Sequence, residues 1–197
     1  LGCQSIPKED LEIELDSELG RAIVPEETIA LISEQKTLAH DVIGLTLMPE
    51  KLITFNPGQY ADIEFTELSA VRSYSFSTIG QADGSLNFHV RLVPGGVFSG
   101  WLFGGDRTGT TVTLRGPYGQ FGFNESDDVM VCVAGGTGLA PIKCILESMT
   151  GTQRERDVFL FFGVRQQRDL YCLEEMQALQ RDWGGNFELI PVLSEEP

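Results

Sequence analysis

A glycine-rich segment at residues 135–141, Gly-Gly-Thr-Gly-Leu-Ala-Pro, has residue types that can bind a nucleotide phosphate. It follows an apolar run at residues 129–134 and precedes a helical pattern that extends to Met149. Glycines at a strand-to-helix turn let the backbone approach a pyrophosphate, and the first N–H groups of the helix favour its negative charge. Pro141 suits the first helical turn, where a missing N–H breaks no hydrogen bond. The segment predicts a nucleotide-phosphate site, with a tight turn that binds nothing as the alternative.

A second set of candidate residues lies in the first half of the chain. In the stretch Arg-Ser-Tyr-Ser that begins at Arg72, alternate side chains of a strand would share a face. Arg72 and Tyr74 would then offer a cation for phosphate and a ring for a flat ligand, although an exposed polar strand is the alternative. The Gly95-Gly96 turn precedes a short predicted helix at residues 99–103 and adds another phosphate-compatible turn. Two such sites favour two bound nucleotides.

The elements that would position these residues are of two types. Six short β-like segments separated by turn signals predict an antiparallel barrel, with strands at residues 28–36, 42–48, 60–65, 72–77, 86–93 and 111–114. Further along, strands at 129–134, 158–162 and 187–193 alternate with helices that end at Met149 and span residues 173–181. This order is half of a doubly wound parallel sheet, so we predict a β plus α/β fold. The apolar run at 129–134 is typical of a strand buried on both faces.

Composition limits the possible function classes. The 197 residues include 29 acidic residues against 14 Lys and Arg, a formal net charge of −15. Such a charge disfavours nucleic acids and anionic membrane surfaces as partners, and it suits a partner with a basic patch. Apolar runs are too short for a membrane span. Four widely separated cysteines favour a reducing, cytoplasmic setting.

Four motifs in this order resemble those of the ferredoxin–NADP reductase family. They are Arg72-x-Tyr74-Ser75, Gly95-Gly96-x-x-Ser99, Gly116-Pro117-Tyr118-Gly119 and Gly135-Gly136-Thr137-Gly138-x-x-Pro141. The resemblance covers residues 31–195. It implies a six-stranded FAD-binding barrel at residues 26–124 and a nicotinamide-nucleotide domain at residues 125–197 whose carboxyl-terminal part is missing. Residues 88–92 and 162–165 most resemble reductases of bacterial ring-hydroxylating dioxygenases and multicomponent monooxygenases.

The resemblance implies roles for individual residues. Arg72 would pair with the flavin pyrophosphate, Tyr74 would pack against the isoalloxazine, and Ser75 would hydrogen-bond near its N5. Thr137 would lie where flavin and nicotinamide meet, so Ser75 and Thr137 are the candidate catalytic residues. The other flavin-binding candidates lie on the barrel: Ser73, His89, Val90, Arg91, Gly96, Val97, Phe98 and Ser99. The turn at Ser99 is placed for a second phosphate, which favours FAD over FMN. The nucleotide-binding candidates follow the barrel: Gly135, Gly136, Thr137, Gly138, Pro141, Arg165, Ser194 and Glu195.

The end of the third predicted parallel strand bears on the choice of nicotinamide nucleotide. In NADP-using relatives this strand is followed by Ser and Arg, and the guanidinium binds the 2′-phosphate. Here Ser194 is followed by Glu195 and Glu196. A carboxylate cannot pair with phosphate but can accept a hydrogen bond from a ribose 2′-hydroxyl, which favours NADH. Arg165 and Arg168 leave NADPH open as the alternative.

The amino-terminal residues carry a separate resemblance. Leu-Gly-Cys-Gln at residues 1–4 and the acidic alternating segment at 11–15 resemble the tail of a plant-type [2Fe–2S] ferredoxin. This implies that Cys3 is the fourth cluster ligand of an upstream domain, and that residues 1–25 form its tail and a linker. The alternative is an ordinary buried cysteine in a short leader.

Together these features predict an NADH-dependent flavoprotein reductase. Electrons would pass from NADH through FAD to a [2Fe–2S] centre, and the partner would be a terminal oxygenase component or a ferredoxin. One alternative is a free-standing flavin reductase or a flavohaemoglobin-type reductase module. The other is a non-catalytic nucleotide-binding subunit that serves for docking.

Overall fold

Two β-sheets form the framework of the computed structural model, which describes residues 23–124, 126, 128–149 and 151–196. Cys3 and residues 1–22 of the predicted ferredoxin tail lie outside the described residues. None of the described helices is long and apolar enough to cross a bilayer.

The first sheet is the predicted six-stranded antiparallel barrel. Its strands are β1 (Glu26–Ala39), β2 (Val42–Pro49), β3 (Tyr60–Phe65), β4 (Ala70–Ser75), β5 (Leu86–Arg91) and β6 (Thr111–Tyr118), in the order β4-β3-β6-β1-β2-β5. Side chains alternate between core and solvent, as in β1, where Ala30 and Ile32 are fully buried and Ile29 and Leu31 are partly exposed. The alternation that predicted these strands therefore reflects one buried face.

The two edge strands of this sheet bring its ends together. β4 and β5 are the edge strands, and the chain just after β4 pairs with β5 at the Phe76–Phe88 bridge. Away from this bridge, no described strand pairs with the outer edges of β4 and β5. Helix α1 (Val97–Phe103) follows β5 and closes the barrel with Phe98 and Leu102, both in its core. The result is a curled sheet with an open seam beside α1.

The second sheet contains three parallel strands, β7 (Met130–Gly135), β8 (Val158–Val164) and β9 (Phe187–Leu193). Helix α2 (Leu139–Ser148) connects β7 to β8, and α3 (Leu173–Arg181) connects β8 to β9. Right-handed crossovers that proceed in one direction place successive helices on the same face of a sheet. Both helices accordingly share one apolar core with Leu160 and Phe162 of β8. The predicted fold class, a barrel followed by an α/β unit, is confirmed.

The prediction that the strand at 129–134 is buried on both faces is wrong for the part of the chain that the structure describes. Val131 and Val133 are 63% and 74% exposed, while Ala134 is buried on the helix side. Both described helices cover the same face, so the other face of β7 has no cover within residues 23–196. Absence of alternation in the sequence therefore did not mean burial on both sides.

The two units share parts of their cores. Ala39 and Val42, at the junction of β1 and β2, belong to the apolar core of the parallel sheet. In return Cys144 of α2 is fully buried in the barrel core. Gly58 of the barrel lies close to α2, because a Cβ atom there would lie 3.1 Å from Ile145 Cδ1. These contacts fix the position of the glycine-rich turn relative to the barrel.

Candidate active site

The open seam of the barrel collects the candidate flavin-binding residues. Residues 72–75 lie on β4, residues 89–91 lie on β5, and residues 96–99 lie at the start of α1. Edge strands without a neighbour expose backbone N–H and C=O groups. The first residues of a helix add N–H groups that have no intrahelical acceptor. The seam therefore presents polar backbone groups from three elements around one elongated surface.

Arg72 and Ser73 project from opposite sides of β4. Arg72 is exposed, and its NH1 donates to the adjacent Val71 carbonyl at 2.7 Å. No carboxylate among the described residues pairs with it, so this guanidinium is free to bind an anion. The Ser73 hydroxyl instead donates to Asp62 Oδ1 on the neighbouring strand, at 2.6 Å.

Tyr74 and Ser75 are half-buried at the end of β4. The Tyr74 ring packs against Phe98 of α1, with centroids 5.7 Å apart, at the edge of the barrel core. Burial raises the pKa of the Tyr74 hydroxyl well above its ordinary value, so this group remains a neutral donor. The Ser75 hydroxyl has no hydrogen-bond partner among the described side chains and backbone groups and can bond a ligand.

The turn into α1 depends on glycine and on one buried serine. Gly95 has φ +72°, which favours glycine, and Gly96 precedes the helix. Ser99 is 4% exposed, and its hydroxyl accepts a hydrogen bond from the Val93 N–H at 3.0 Å. Its side chain thus stabilises the turn. The turn leaves the backbone N–H groups of Val97, Phe98 and Ser99 available to a ligand.

The glycine-rich turn between β7 and α2 forms the opposing side of the site. Gly136–Gly138 is a single 3-10 turn that lies against β5, and Gly136 has φ +51°. An added Cβ at Gly135 or Gly138 would meet no atom within 4 Å. Both positions therefore face open space that a ligand's phosphate could approach. Thr137 is half-buried in this turn, and Pro141 is in the first turn of α2.

A cavity of about 300 Å³ adjoins this turn at the carboxyl ends of β7, β8 and β9. Parallel α/β sheets bind ligands at this end of their strands. The cavity lining includes Gly135, Gly136 and Gly163 from the strand ends, together with Ser194 after β9. Arg91 of the barrel lines the same cavity, so its side chain lies at the carboxyl end of the parallel sheet.

Alternating acids and bases connect the two units across this cavity. Asp41 Oδ2 accepts hydrogen bonds from Arg91 Nε at 3.1 Å and from Arg165 NH2 at 2.7 Å. Arg165 Nε also donates to Asp169 Oδ2 at 3.1 Å. Burial by itself raises the pKa of Asp41, but the hydrogen bond and charge of Arg91, with the charges of His40 and Arg165, lower it below its usual value. Asp41 is therefore ionised at neutral pH.

Sequence reasoning identified the two arginines but missed Asp41, Asp169 and Tyr171. Asp41 lies in the two-residue turn between β1 and β2, where an acidic residue is ordinarily solvated. Asp169 stands four residues after Arg165, a spacing that could have indicated an ion pair. The Tyr171 hydroxyl donates to the Gly136 carbonyl at 3.2 Å and lies 3.3 Å from His89 Nδ1. It therefore ties the glycine-rich turn to the barrel.

The exit of β9 places the residues proposed to discriminate between the nicotinamide nucleotides. Ser194 and Glu195 are exposed, and the Glu195 N–H donates to the Arg165 carbonyl at 2.9 Å. The Glu196 carboxylate already has a partner, since it accepts a hydrogen bond from the Gln167 N–H at 2.9 Å. The Arg165 guanidinium is already held by two carboxylates, whereas Arg168 is exposed. Arg168 is thus the freer cation for a 2′-phosphate.

Comparison with known proteins identifies both units. The oxidoreductase FAD-binding domain matches residues 30–123, and the oxidoreductase NAD-binding domain matches residues 132–197. The electron transfer component XylA of the Pseudomonas putida xylene/toluene monooxygenase is 76% identical over 196 residues, covering 100% of this chain and 56% of that protein.

Two further relatives are more distant. The ferredoxin–NAD(P)(+) reductase component of the Ralstonia sp. naphthalene 1,2-dioxygenase and salicylate 5-hydroxylase systems is 34% identical, over 91% of this chain and 55% of that protein. The crystal structure of the Amycolatopsis cytochrome P450 reductase GcoB superposes with a TM-score of 0.85 at 34% identity, covering 100% of this chain and 61% of that chain. The chain therefore spans little more than half of the relatives that it matches.

The burial of His89 makes one prediction about stability. His89 is 6% exposed, and burial lowers its pKa to about 3, with the charge of Lys143 adding to the shift. An unfolded histidine takes up a proton near pH 6.5, whereas the folded one stays neutral. The free energy of unfolding should therefore fall by about 2 kcal/mol between pH 6.5 and pH 5 on account of this residue.

Urea denaturation at several pH values checks this prediction. His89→Asn should show a shallower loss of stability below pH 6.5 than the parent protein. Gln81→Asn is the control, because it changes an exposed side chain that does not titrate, and it should retain the parent slope. Equal slopes for His89→Asn and the parent would contradict the assignment.

Proposed function

Because this chain belongs to the ferredoxin–NADP reductase family of FAD- and NAD-binding oxidoreductases, we propose that it passes electrons from NADH through FAD to an iron–sulfur or oxygenase partner. The flavin is assigned to the barrel of residues 26–124 and the nicotinamide nucleotide to residues 125–197. The relatives named as reductase or electron transfer components of oxygenase systems support this assignment.

One observation carries the proposal: the turn at Gly136–Gly138 lies against β5, beside the open seam of the barrel. Hydride transfer requires donor and acceptor atoms within about 3–3.5 Å of each other. Two ligands on separate units can meet this requirement only if their sites share a border. We assign Ser75 to the flavin side of this border and Thr137 to its nucleotide side.

The seam fits an extended dinucleotide. Arg72 offers a cation that pairs with no carboxylate among the described residues, and the first N–H groups of α1 offer a second phosphate contact. Two separated phosphate contacts suit FAD, which carries two phosphates, better than FMN. Tyr74 would pack its ring on the isoalloxazine, while His89 and Val90, whose side chains are buried, would contribute backbone groups.

FAD supplies the chemistry when bound, because it accepts a hydride from NADH and releases electrons one at a time. The chain's own residues position the reactants. The Ser75 hydroxyl, which has no hydrogen-bond partner in the part of the chain that the structure describes, would donate to the flavin near N5. Thr137 would orient the nicotinamide on the nucleotide side. Gly135 and Gly138 leave room for the nucleotide's phosphate groups to approach the backbone.

The proposed acceptor is a [2Fe–2S] centre, with Cys3 as one ligand, or a separate ferredoxin or terminal oxygenase component. Cys3 lies outside the described residues, so its role rests on the sequence resemblance alone. The net charge of −15 suits a partner whose docking surface is basic.

The preference for NADH over NADPH is assigned to Glu195. Its exposed carboxylate follows Ser194 at the exit of β9 and would accept a hydrogen bond from the ribose 2′-hydroxyl. A 2′-phosphate at the same position would be repelled.

The proposal is tested on the native polypeptide by its visible spectrum and by anaerobic titration with NADH and NADPH. A flavin band that NADH bleaches rapidly and NADPH bleaches slowly is the expected result. Iron and acid-labile sulfide in the same preparation would support the cluster. A protein that neither contains nor takes up a flavin would contradict the enzymatic function and favour a docking subunit.

Arg72→Ala should weaken flavin retention without altering the fold, because it removes a phosphate partner from an exposed position. A charged hydrogen bond to phosphate corresponds to a loss of about tenfold or more in FAD affinity. Fluorescence titration of the apoprotein with FAD measures this loss. Arg181→Ala, which removes an exposed arginine at the end of α3, should leave FAD affinity unchanged. Equal FAD affinities for the two variants would reject the role.

Glu195→Arg should shift the nucleotide preference toward NADPH. The new guanidinium can pair with the 2′-phosphate, so the ratio of kcat/KM for NADPH to that for NADH should rise by about tenfold or more. Glu188→Arg introduces the same charge near the start of β9, far from the strand's exit, and should leave the ratio unchanged. An unchanged ratio in Glu195→Arg would overturn the assignment.

A further inference from the structure

The carboxylate of Asp41 has a different environment from the two arginines that it binds. The Asp41 side chain is 13% exposed, while those of Arg91 and Arg165 are 41% and 40% exposed. One oxygen, Oδ2, accepts from both guanidinium groups. The acid is thus the buried centre of the group, and all three residues line the same cavity.

The two arginines come from different units of the chain. Arg91 ends β5 of the barrel, and Arg165 follows β8 of the parallel sheet. Asp41 belongs to the turn between β1 and β2, where the Leu92 N–H also donates to its backbone carbonyl at 2.8 Å. One barrel carboxylate therefore sets the spacing between a barrel arginine and a nucleotide-unit arginine.

Both arginines keep unused hydrogen-bond donors. Arg91 contacts Asp41 through Nε, and its two terminal nitrogens have no hydrogen-bond acceptor among the described residues. Arg165 uses Nε and NH2, which leaves NH1 without an acceptor in the same part of the chain. A Cβ at Gly136 would lie 3.7 Å from Arg91 NH1, so that nitrogen is beside the glycine-rich turn. Both arginines line the cavity beside this turn, where the phosphates of a dinucleotide would pass.

We propose that Asp41 is a positioning residue for the nicotinamide dinucleotide, and that it acts by holding Arg91 and Arg165 in place for its phosphate groups. The inference rests on the proposed nucleotide-binding function. Without the carboxylate, two like charges at close range would separate, and each long side chain would lose its fixed orientation. Asp169 supports the arrangement from the other side because it holds Arg165 Nε.

The test measures binding of ADP-ribose, which carries the pyrophosphate but no nicotinamide, to the native polypeptide by calorimetry. Asp41→Asn preserves side-chain size but removes the charge, and it should weaken ADP-ribose binding by about tenfold, comparable to one charge-assisted hydrogen bond. Glu27→Gln is the matched control, because Glu27 pairs with Arg115 on the barrel away from the cavity. This variant should bind ADP-ribose like the parent.

A double-mutant cycle separates positioning from a general structural role. In a protein that already carries Arg91→Gln and Arg165→Gln, the further change Asp41→Asn should cost less than about threefold, because its effect passes through the arginines. An equal loss in both backgrounds would overturn the proposal. Tighter binding by Asp41→Asn would also overturn it, since the carboxylate would then be competing with phosphate.

The measurement is independent of the proposed electron transfer. ADP-ribose cannot be oxidised, so failure of NADH to bleach the flavin would count against the reductase function and leave the binding result intact. Failure of the parent protein to bind ADP-ribose up to millimolar concentration would overturn the inference about Asp41 itself. The flavin content and thermal unfolding midpoint of each variant verify that it folds.

Discussion

The position of the barrel relative to the parallel sheet is the constraint on which the site depends. Each unit lends side chains to the other, since Ala39 and Val42 enter the sheet's core and Cys144 enters the barrel's. A packed core is sensitive to a change in volume of even one methylene group, so the elements that share it resist displacement. The border between the seam and the glycine-rich turn is therefore fixed by apolar packing. The hydrogen bond from Arg165 to Asp41 adds a polar contact between the two units at this border.

The charged groups at this border are poor candidates for stabilising the fold. Removing ions from water costs several kcal/mol each, and well-packed apolar residues often replace a buried ion pair without loss of stability. Asp41 and Asp169 are nevertheless largely buried beside half-exposed arginines. These ion pairs contribute little to stability, and they leave cationic donors beside a cavity. A requirement for orienting a ligand explains them better than a requirement for stability. Both arginines line the cavity, which agrees with this interpretation.

Most of the fold was predictable because its elements follow local patterns. The bounds of β3, α3 and β9 coincide with the predicted residues 60–65, 173–181 and 187–193. In β3 the side chains alternate between buried and half-buried, and in α3 the buried residues Met176 and Leu179 are three residues apart, so both follow a local pattern. The burial of β7 was not predictable, because it depends on which face the helices cover. Asp41 was missed for a similar reason: its partner Arg165 lies 124 residues away, and no local pattern records such a contact.

The local cations also resolve an electrostatic difficulty. A chain with a net charge of −15 repels an anionic dinucleotide at long range, but in about 0.1 M salt this repulsion is screened beyond roughly 10 Å. Binding must then come from short, directional contacts. Arg72 at the seam and the Arg91–Arg165 pair at the cavity provide such contacts, and the backbone N–H groups at the starts of α1 and α2 add more. A short contact forms only in a restricted geometry, so the crevice selects its nucleotides by the placement of its arginines. The acidic surface outside the crevice remains available to a basic partner.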